Sequence, residues 1–418
     1  MFKSSKNRKQ GRAGMPPVQS IEVSDKHKRL RLILAIAAVV LALVMFTIFL
    51  FGLLTKQSGW QRIDVPASAD SCSHDFVLQY DLGSMGASAT AEYKRIREVY
   101  SEAAQRAYRI FHESQLVDGV GNLALINTNP NQTVTVDPAL YRCLEKIVTS
   151  GDRTIYMANV LVEYKALFSA QTEMEAQQYD PTRNEEDRLY LQTLAAFAKD
   201  PKYVRLDLQG NNRVRLVVSQ EYVMFFGMYQ LDRFLDLGWL KNAFIADYLA
   251  DTLSVAGFNR GYLASVDGYT RNLDPSDDPY NINLFDRIGV DIYKPCQFQY
   301  KGAVSMVVLR SFPQVEEDRW RYFAYADGHI VSAFLDPKDG LSKCSTDMLM
   351  SYSKTASCAD IALSIAPIFV ADTLDRSALL SLEGISSIWM EDTKVCYSDK
   401  SADLKLTDNR YTAHHVTK

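Results

Sequence analysis

Asp360 and Ser364 stand four residues apart in the run Ser357-Cys358-Ala359-Asp360-Ile361-Ala362-Leu363-Ser364. On a helix that begins near Ser357 this spacing turns both oxygens toward one face, and carboxylate and hydroxyl oxygens are the donors that hard cations take. The alternative needs no ligand: Asp360 complements the helix N-terminus and Ser364 faces the core. A second polar cluster, Asp336-Pro337-Lys338-Asp339-Gly340, has the composition of a tight turn. Other metal chemistry is disfavoured. His27, His74, His112, His329, His414 and His415 form no HExxH or other paired spacing. Cys72, Cys143, Cys296, Cys344, Cys358 and Cys396 contain no CxxC pair, and any disulfide connectivity stays open. Asp274-Pro275-Ser276-Asp277-Asp278-Pro279 lacks the glycine and terminal glutamate of a calcium loop and reads as an exposed turn.

The elements that must position these residues alternate between helix and strand. From Ala91 to His112, Tyr93, Ile96, Tyr100, Ala104, Ala107 and Phe111 recur at helical spacing, which predicts a core-packing helix. A second helix is expected from about Trp239 to Ala256, with Ile245, Leu249 and Leu253 inward and Gly257 placed for a left-handed cap. Val204 to Leu208, Val214 to Val218, Tyr262 to Val266, Val304 to Leu309 and Tyr322 to Ala326 read as strands. Pro367 should kink or stop the helix that starts near Ser357, because proline removes a backbone donor. The mixture implies an α+β or α/β layered domain. With no Pro- or Gly-rich linker and no internal repeat, one large domain with an internal insertion is expected.

Upstream, residues 32–55 carry no charge and are long enough to cross a bilayer as a helix. Lys3, Lys6, Arg8, Lys9, Arg12, Lys26, Lys28, Arg29 and Arg31 precede the run against Glu22 and Asp25, so the N-terminus is expected in the cytoplasm and the remainder outside. The exit Phe51-Gly52-Leu53-Leu54-Thr55-Lys56 offers no small-x-small cleavage site, which favours an uncleaved anchor. The first cysteine, Cys72, lies too far on for lipid attachment. The expected organisation is a basic tail at 1–31, a transmembrane helix at 32–55, a linker at 56–74, the folded domain at 75–400 and a C-terminal tail at 401–418. A net charge of -4 and 47% apolar residues fit a large core and no nucleic-acid partner. Asn131-Gln132-Thr133 matches a glycosylation acceptor and marks that loop as exposed.

Three stretches in order carry a resemblance: Leu235-Asp236-Leu237-Gly238-Trp239-Leu240-Lys241-Asn242-Ala243-Phe244-Ile245-Ala246-Asp247 with Gly261 to Arg271 after it, then Asp336 to Gly340, then Ser357 to Ser364. Together they resemble the FAD:protein FMN transferases, the ApbE family. Weaker matches at Met85-Gly86, Glu113-Ser114, Leu125-Ile126-Asn127 and Val134 to Leu144 extend it over most of the exported part. The resemblance implies an ApbE-like layered domain of mixed sheets and helices. It implies binding of FAD, cleavage of its pyrophosphate with Mg2+, and transfer of FMN to a Thr or Ser hydroxyl of an exported flavoprotein acceptor. By the same resemblance Asp360 and Ser364 would hold the metal. Asp236, Gly238, Asn242, Asp247, Asp267 and Gly268 would line the nucleotide region, and Asp336 would shape the turn beside it.

The departures from the family pattern weigh against activity. Asn242 and Ala243 stand where Lys-Gly is usual, and Lys241 is one position early, about 100° around the helix. Ala333 replaces a histidine, Asp339 a threonine, and Asp267 the first of paired glycines. Two functions are therefore weighed: a membrane-anchored FMN transferase, and a catalytically inactive relative that binds flavin or a partner protein at the membrane surface. An open cleft at Asp360 with converging oxygens supports the first. A cleft filled by Trp239, Phe244 or Pro367 excludes flavin. Gly83-Ser84-Met85-Gly86-Ala87-Ser88 resembles a flavin acceptor sequence, which leaves self-modification as a remote expectation.

Overall fold

The computed structural model describes residues 27–54, 56–66, 68–84, 86, 88–183, 185–314 and 320–417. The tail before His27, Met85 and Ala87 of the candidate acceptor sequence, and Thr55 at the end of the apolar run lie outside the described residues. The chain forms two compact units, 1–56 and 57–418. In the first, helix α1 (Lys28–Leu54) is long and apolar enough to cross a membrane, with a mean hydropathy of 2.6 over Arg29–Thr47.

The second unit begins with β1 (Gly59–Arg62), β2 (Phe76–Leu82), α2 (Ala89–Phe111) and α3 (Leu123–Asn127). It continues through β3 (Thr133–Thr135), α4 (Pro138–Ser150), α5 (Ala158–Ser169), α6 (Glu173–Tyr179), α7 (Glu185–Lys199), β4 (Val204–Leu208), β5 (Arg213–Val218) and α8 (Gln220–Met228). Helix α9 (Lys241–Val255) leads into β6 (Gly261–Ser265), β7 (Tyr269–Asn272), the hairpin β8 (Pro279–Ile288) and β9 (Asp291–Lys301), and β10 (Val304–Arg310). After β11 (Tyr322–Ala324), β12 (Ile330–Ser332) and β13 (Met348–Ser353) come α10 (Cys358–Phe369) and α11 (Arg376–Ser381). The chain ends with β14 (Ser386–Glu391), β15 (Lys394–Tyr397), β16 (Asp403–Leu406) and β17 (Thr412–His415).

A nine-stranded sheet in the order β1-β2-β6-β7-β10-β13-β14-β15-β17 organises the domain. Its neighbours are antiparallel except β15 and β17, which run parallel. The central strands are buried on both faces: every residue of β10 is buried, Ser305 and Arg310 included. Val307 and Leu309 join the core shared with α2, α9 and α10, while Val304, Met306 and Val308 join a second core with Leu284, Cys296 and Phe298 of the β8-β9 hairpin. A three-stranded sheet β16-β9-β8 thus covers the face opposite the helices. Another small sheet, β3-β5-β4, belongs to the segment between α2 and α9.

The α2 and α9 periodicities match the structure closely. Tyr93, Ile96, Tyr100, Ala104, Ala107 and Phe111 are all buried, as are Ile245, Leu249 and Leu253. Gly257, with a φ of 90°, ends α9, its N–H donating to the Ser254 carbonyl and the Phe258 N–H to the Leu253 carbonyl. Pro367 lies within the last turn of α10, which ends at Phe369, close to where the proline is expected to stop it. Two expectations of organisation are corrected. The stretch 56–74 contains β1, paired with β2, and 401–418 contains β16 and β17, so neither is a bare linker or tail.

Candidate functional site

At the N-terminus of α10, Ser357 and Asp360 form a capping box: the Asp360 N–H donates to Ser357 Oγ and the Ser357 N–H to Asp360 Oδ2. Asp247, projecting from α9, accepts the next two orphan donors, the Cys358 N–H at 3.0 Å and the Ala359 N–H at 2.9 Å. Arg271 of β7 holds that carboxylate from the other side, Nη1 to Oδ1 at 2.5 Å. Asp247 therefore joins α9, β7 and α10.

Lys146 of α4 completes the cluster. Its Nζ lies 2.7 Å from Asp360 Oδ1 and 3.0 Å from Ser357 Oγ, and the Ser357 hydroxyl donates to Asp360 Oδ2 at 2.7 Å. Burial alone would push the Asp360 carboxyl up; the bonds from Lys146 and Ser357 outweigh it and hold the group below its ordinary value. Ser364 spends its hydroxyl proton on the Asp360 main-chain carbonyl, at 2.8 Å. A hard divalent cation would need a set of oxygens with no competing positive charge. Here an ammonium already sits on the one carboxylate, and among the described residues no group of three or more His, Cys, Asp or Glu could hold a metal. As folded, the Asp360 carboxylate is paired with Lys146 and not free for a hard cation.

The expected nucleotide region is built around the turn before α9. Asp236 Oδ1 accepts the Gly238 N–H at 2.9 Å, and Gly238 takes a φ of 55°. Arg233 bridges Asp236 and Glu113, and Lys241 reaches Glu113 Oε2 at 2.9 Å, so Lys241 is committed to an ion pair away from Asn242. Burial, then the neighbouring Glu113, raise the Asp236 carboxyl; Glu113 is pushed up by burial but ends below its ordinary value because Lys241 both faces and hydrogen-bonds it. Asn242 donates its side-chain amide to Asp267 Oδ2 at 3.0 Å. Arg321, 1% exposed, brings Nη1 to 3.8 Å from the same oxygen. Asn242 and Arg321 thus both face Asp267 Oδ2, while the buried Asp267 Oδ1 has no hydrogen-bond partner among the described residues. Gly268 keeps its glycine for packing: a Cβ there would lie 2.2 Å from the Val308 carbonyl of β10.

Trp239 closes this region. It is 3% exposed, packs edge-on against Phe334 with ring centroids 5.1 Å apart, and its carbonyl accepts the Tyr269 hydroxyl at 2.7 Å. The space left among Asp236, Gly238, Trp239, Ala333 and Leu335 is about 10 Å³. Small-molecule sites are usually several hundred Å³. Phe244 is buried in the core of α9, and Pro367 stays exposed.

The turn at Asp336 survives. Its Oδ1 accepts the Lys338 N–H at 2.9 Å and its carbonyl accepts the Gly340 N–H at 2.8 Å. Lys343 lies across Asp336, Asp339 and Asp372 at 3.1, 2.6 and 3.2 Å, so the extra carboxylate of Asp339 is neutralised inside the fold. Beside this turn a cavity of about 260 Å³ runs past Gly151, Thr154, Lys199, Leu363 and Pro367. Asp336 borders this cavity and Asp236 borders the closed one, while a cavity of about 460 Å³ at the start of α10 is lined by Lys146, Asp247 and Ser357. Lys146, Arg271, Arg321 and Lys343, the cations that occupy these carboxylates, carry no motif that sequence reasoning could have used.

No protein-family model and no curated protein sequence matches the chain. Solved structures do. The ApbE protein of Thermotoga maritima is similar over 84% of this chain and 97% of its own, with a TM-score of 0.54 and 17% identity. The flavin transferase ApbE of Vibrio cholerae is similar over 85% of this chain and 99% of its own, with a TM-score of 0.53 and 11% identity. The chain has the fold of the ApbE flavin transferases. The ApbE fold accounts for the ordered resemblance of its segments.

Proposed function

We propose that this protein is a catalytically inactive ApbE-fold module that recognises a partner protein at the membrane surface. One observation carries the reading: Lys146 Nζ lies 2.7 Å from Asp360 Oδ1, where a cation working on a pyrophosphate would need that carboxylate. The filled space at Trp239 supports it. In this reading α1 is a single-pass anchor, the N-terminus is cytoplasmic and the ApbE-like domain, 75–400 with its flanking strands, is extracytoplasmic. The apolar helix and the basic residues before it support that orientation.

A second reading keeps two favourable observations. Asp360 is partly exposed, its side chain 43% accessible, and the Asp336 turn stands beside a cavity. Movement of Lys146 would then free Asp360 and Ser364 for Mg2+, and the domain would transfer FMN from FAD to an exported flavoprotein. Incubating the detergent-solubilised full chain with FAD and Mg2+ and following AMP release by chromatography separates the readings. No release above a protein-free control is expected; release that disappears in Asp360→Ala would establish the transferase.

A further inference from the structure

We propose that an aromatic cluster at the start of the domain, Trp60 with Tyr262 and Tyr280, is a lipid-seating surface that rests in the outer headgroup layer of the bilayer. The inference rests on the reading of α1 as a membrane span, and its test separates the two. The tether is the first argument. Helix α1 ends at Leu54 and β1 begins at Gly59. The six residue-to-residue steps from Leu54 to Trp60 reach about 21 Å when fully extended, at roughly 3.3–3.6 Å each. A chain crossing the hydrocarbon by α1 therefore keeps Trp60 within about 21 Å of the end of α1, within reach of the headgroups.

Chemistry is the second argument. Trp60 is 42% exposed although it lies on a strand, and its ring meets Tyr262 at 6.2 Å and Tyr280 at 5.8 Å, with Tyr262 and Tyr280 6.4 Å apart. An exposed tryptophan braced by two tyrosines offers apolar ring surface with polar N–H and O–H tips, the combination that settles at a membrane–water boundary. Arg62, two residues on from Trp60, is exposed and pairs with Asp64 at 2.9 Å.

The third argument is the position of β1 at the edge of the nine-stranded sheet. A sheet edge with an apolar side chain on it invites pairing with other chains unless something covers it. A bilayer against this edge supplies that cover.

The test uses the full chain reconstituted in phosphatidylcholine–phosphatidylglycerol vesicles, with brominated lipid as a quencher of tryptophan fluorescence. Of the four tryptophans, Trp239 and Trp389 are buried at 3% and 0% exposure and Trp320 is exposed at 54%, so Trp320 is the control. Quenching should be largely lost in Trp60→Phe and retained in Trp320→Phe. A nitroxide on Ser58→Cys, which leaves the rings intact, should be relaxed by oxygen more than by a water-soluble nickel complex. Quenching that is unchanged by Trp60→Phe, or a nitroxide relaxed mainly by nickel, in a chain that still floats with vesicles overturns the seating surface while leaving the anchor standing. A chain that does not float overturns both.

Discussion

Lys146 and Asp360 meet across α4 and α10, 214 residues apart in sequence, with Nζ 2.7 Å from Oδ1. That contact converts the carboxylate expected to hold a metal into part of a capped helix terminus. The pair is also a simple target for substitution, because both side chains are partly exposed, at 38% and 43%.

Lys146→Met should remove the competing charge and leave Asp360 and Ser364 oxygens on one face. The variant is expected to acquire Mn2+ binding detectable by electron paramagnetic resonance, whereas the parent chain binds none. Its stability cost should stay below about 1 kcal/mol, since exposed ion pairs contribute little. The sign with pH follows from the depressed Asp360 value, below the ordinary 3.8. Such a group stabilises the fold above its unfolded value and stops doing so as pH falls through the lowered folded value. Urea midpoints of parent and variant should therefore differ at pH 7 and converge at strongly acid pH.

Trp239→Gly tests the filled space. Removing a buried indole should cost about 3–5 kcal/mol of unfolding free energy. If the indole is what bars a ligand, the variant should bind FAD or its fragments more tightly than the parent chain in equilibrium dialysis. Loss of stability with no gain in binding would show that Asn242, Asp267 and Arg321 exclude the nucleotide on their own.

Much of the scaffold was legible. The inward stripe from Tyr93 to Phe111 and the short run at β10 have periods that belong to one secondary structure each, and burial follows them. The hairpin β8-β9 was not legible, because its strands cover only one face of the main sheet and its sequence mixes Asn, Asp, Arg and Lys with the apolar positions. Strands β1, β16 and β17 were missed because each is only four residues long and mixes polar with apolar positions. For the site, the ordered turns at Asp236, Asp336 and Asp360 could be read locally. Their occupants could not: Lys146, Arg321 and Lys343 are ordinary surface-type residues in sequence, and only the folded chain sets them on those carboxylates.

Asp247→Ala should be more damaging than any change at Asp360. It strips two N–H partners from α10 and leaves the Arg271 guanidinium, 18% exposed, without its main counterion. Breaking a largely buried pair from one side costs about 3–5 kcal/mol. Chemical denaturation should show a loss of that order, and Asp247→Asn should recover part of it.

Gly268→Ala should destabilise the domain although the residue lies at an expected ligand position. The added Cβ would approach the Val308 carbonyl to 2.2 Å, at a φ of 107° that side chains avoid. Backbone strain alone is worth about 1–3 kcal/mol, and the clash adds to it. A lowered midpoint with unchanged ligand behaviour would place the glycine in packing, as its geometry indicates.

The most direct test of the account is a titration of FAD into the full chain, with and without Mg2+, followed by flavin fluorescence. The account predicts no saturable binding at high micromolar FAD and no effect of magnesium. Saturable, magnesium-dependent binding that Asp360→Ala abolishes would contradict it and return the site to flavin chemistry.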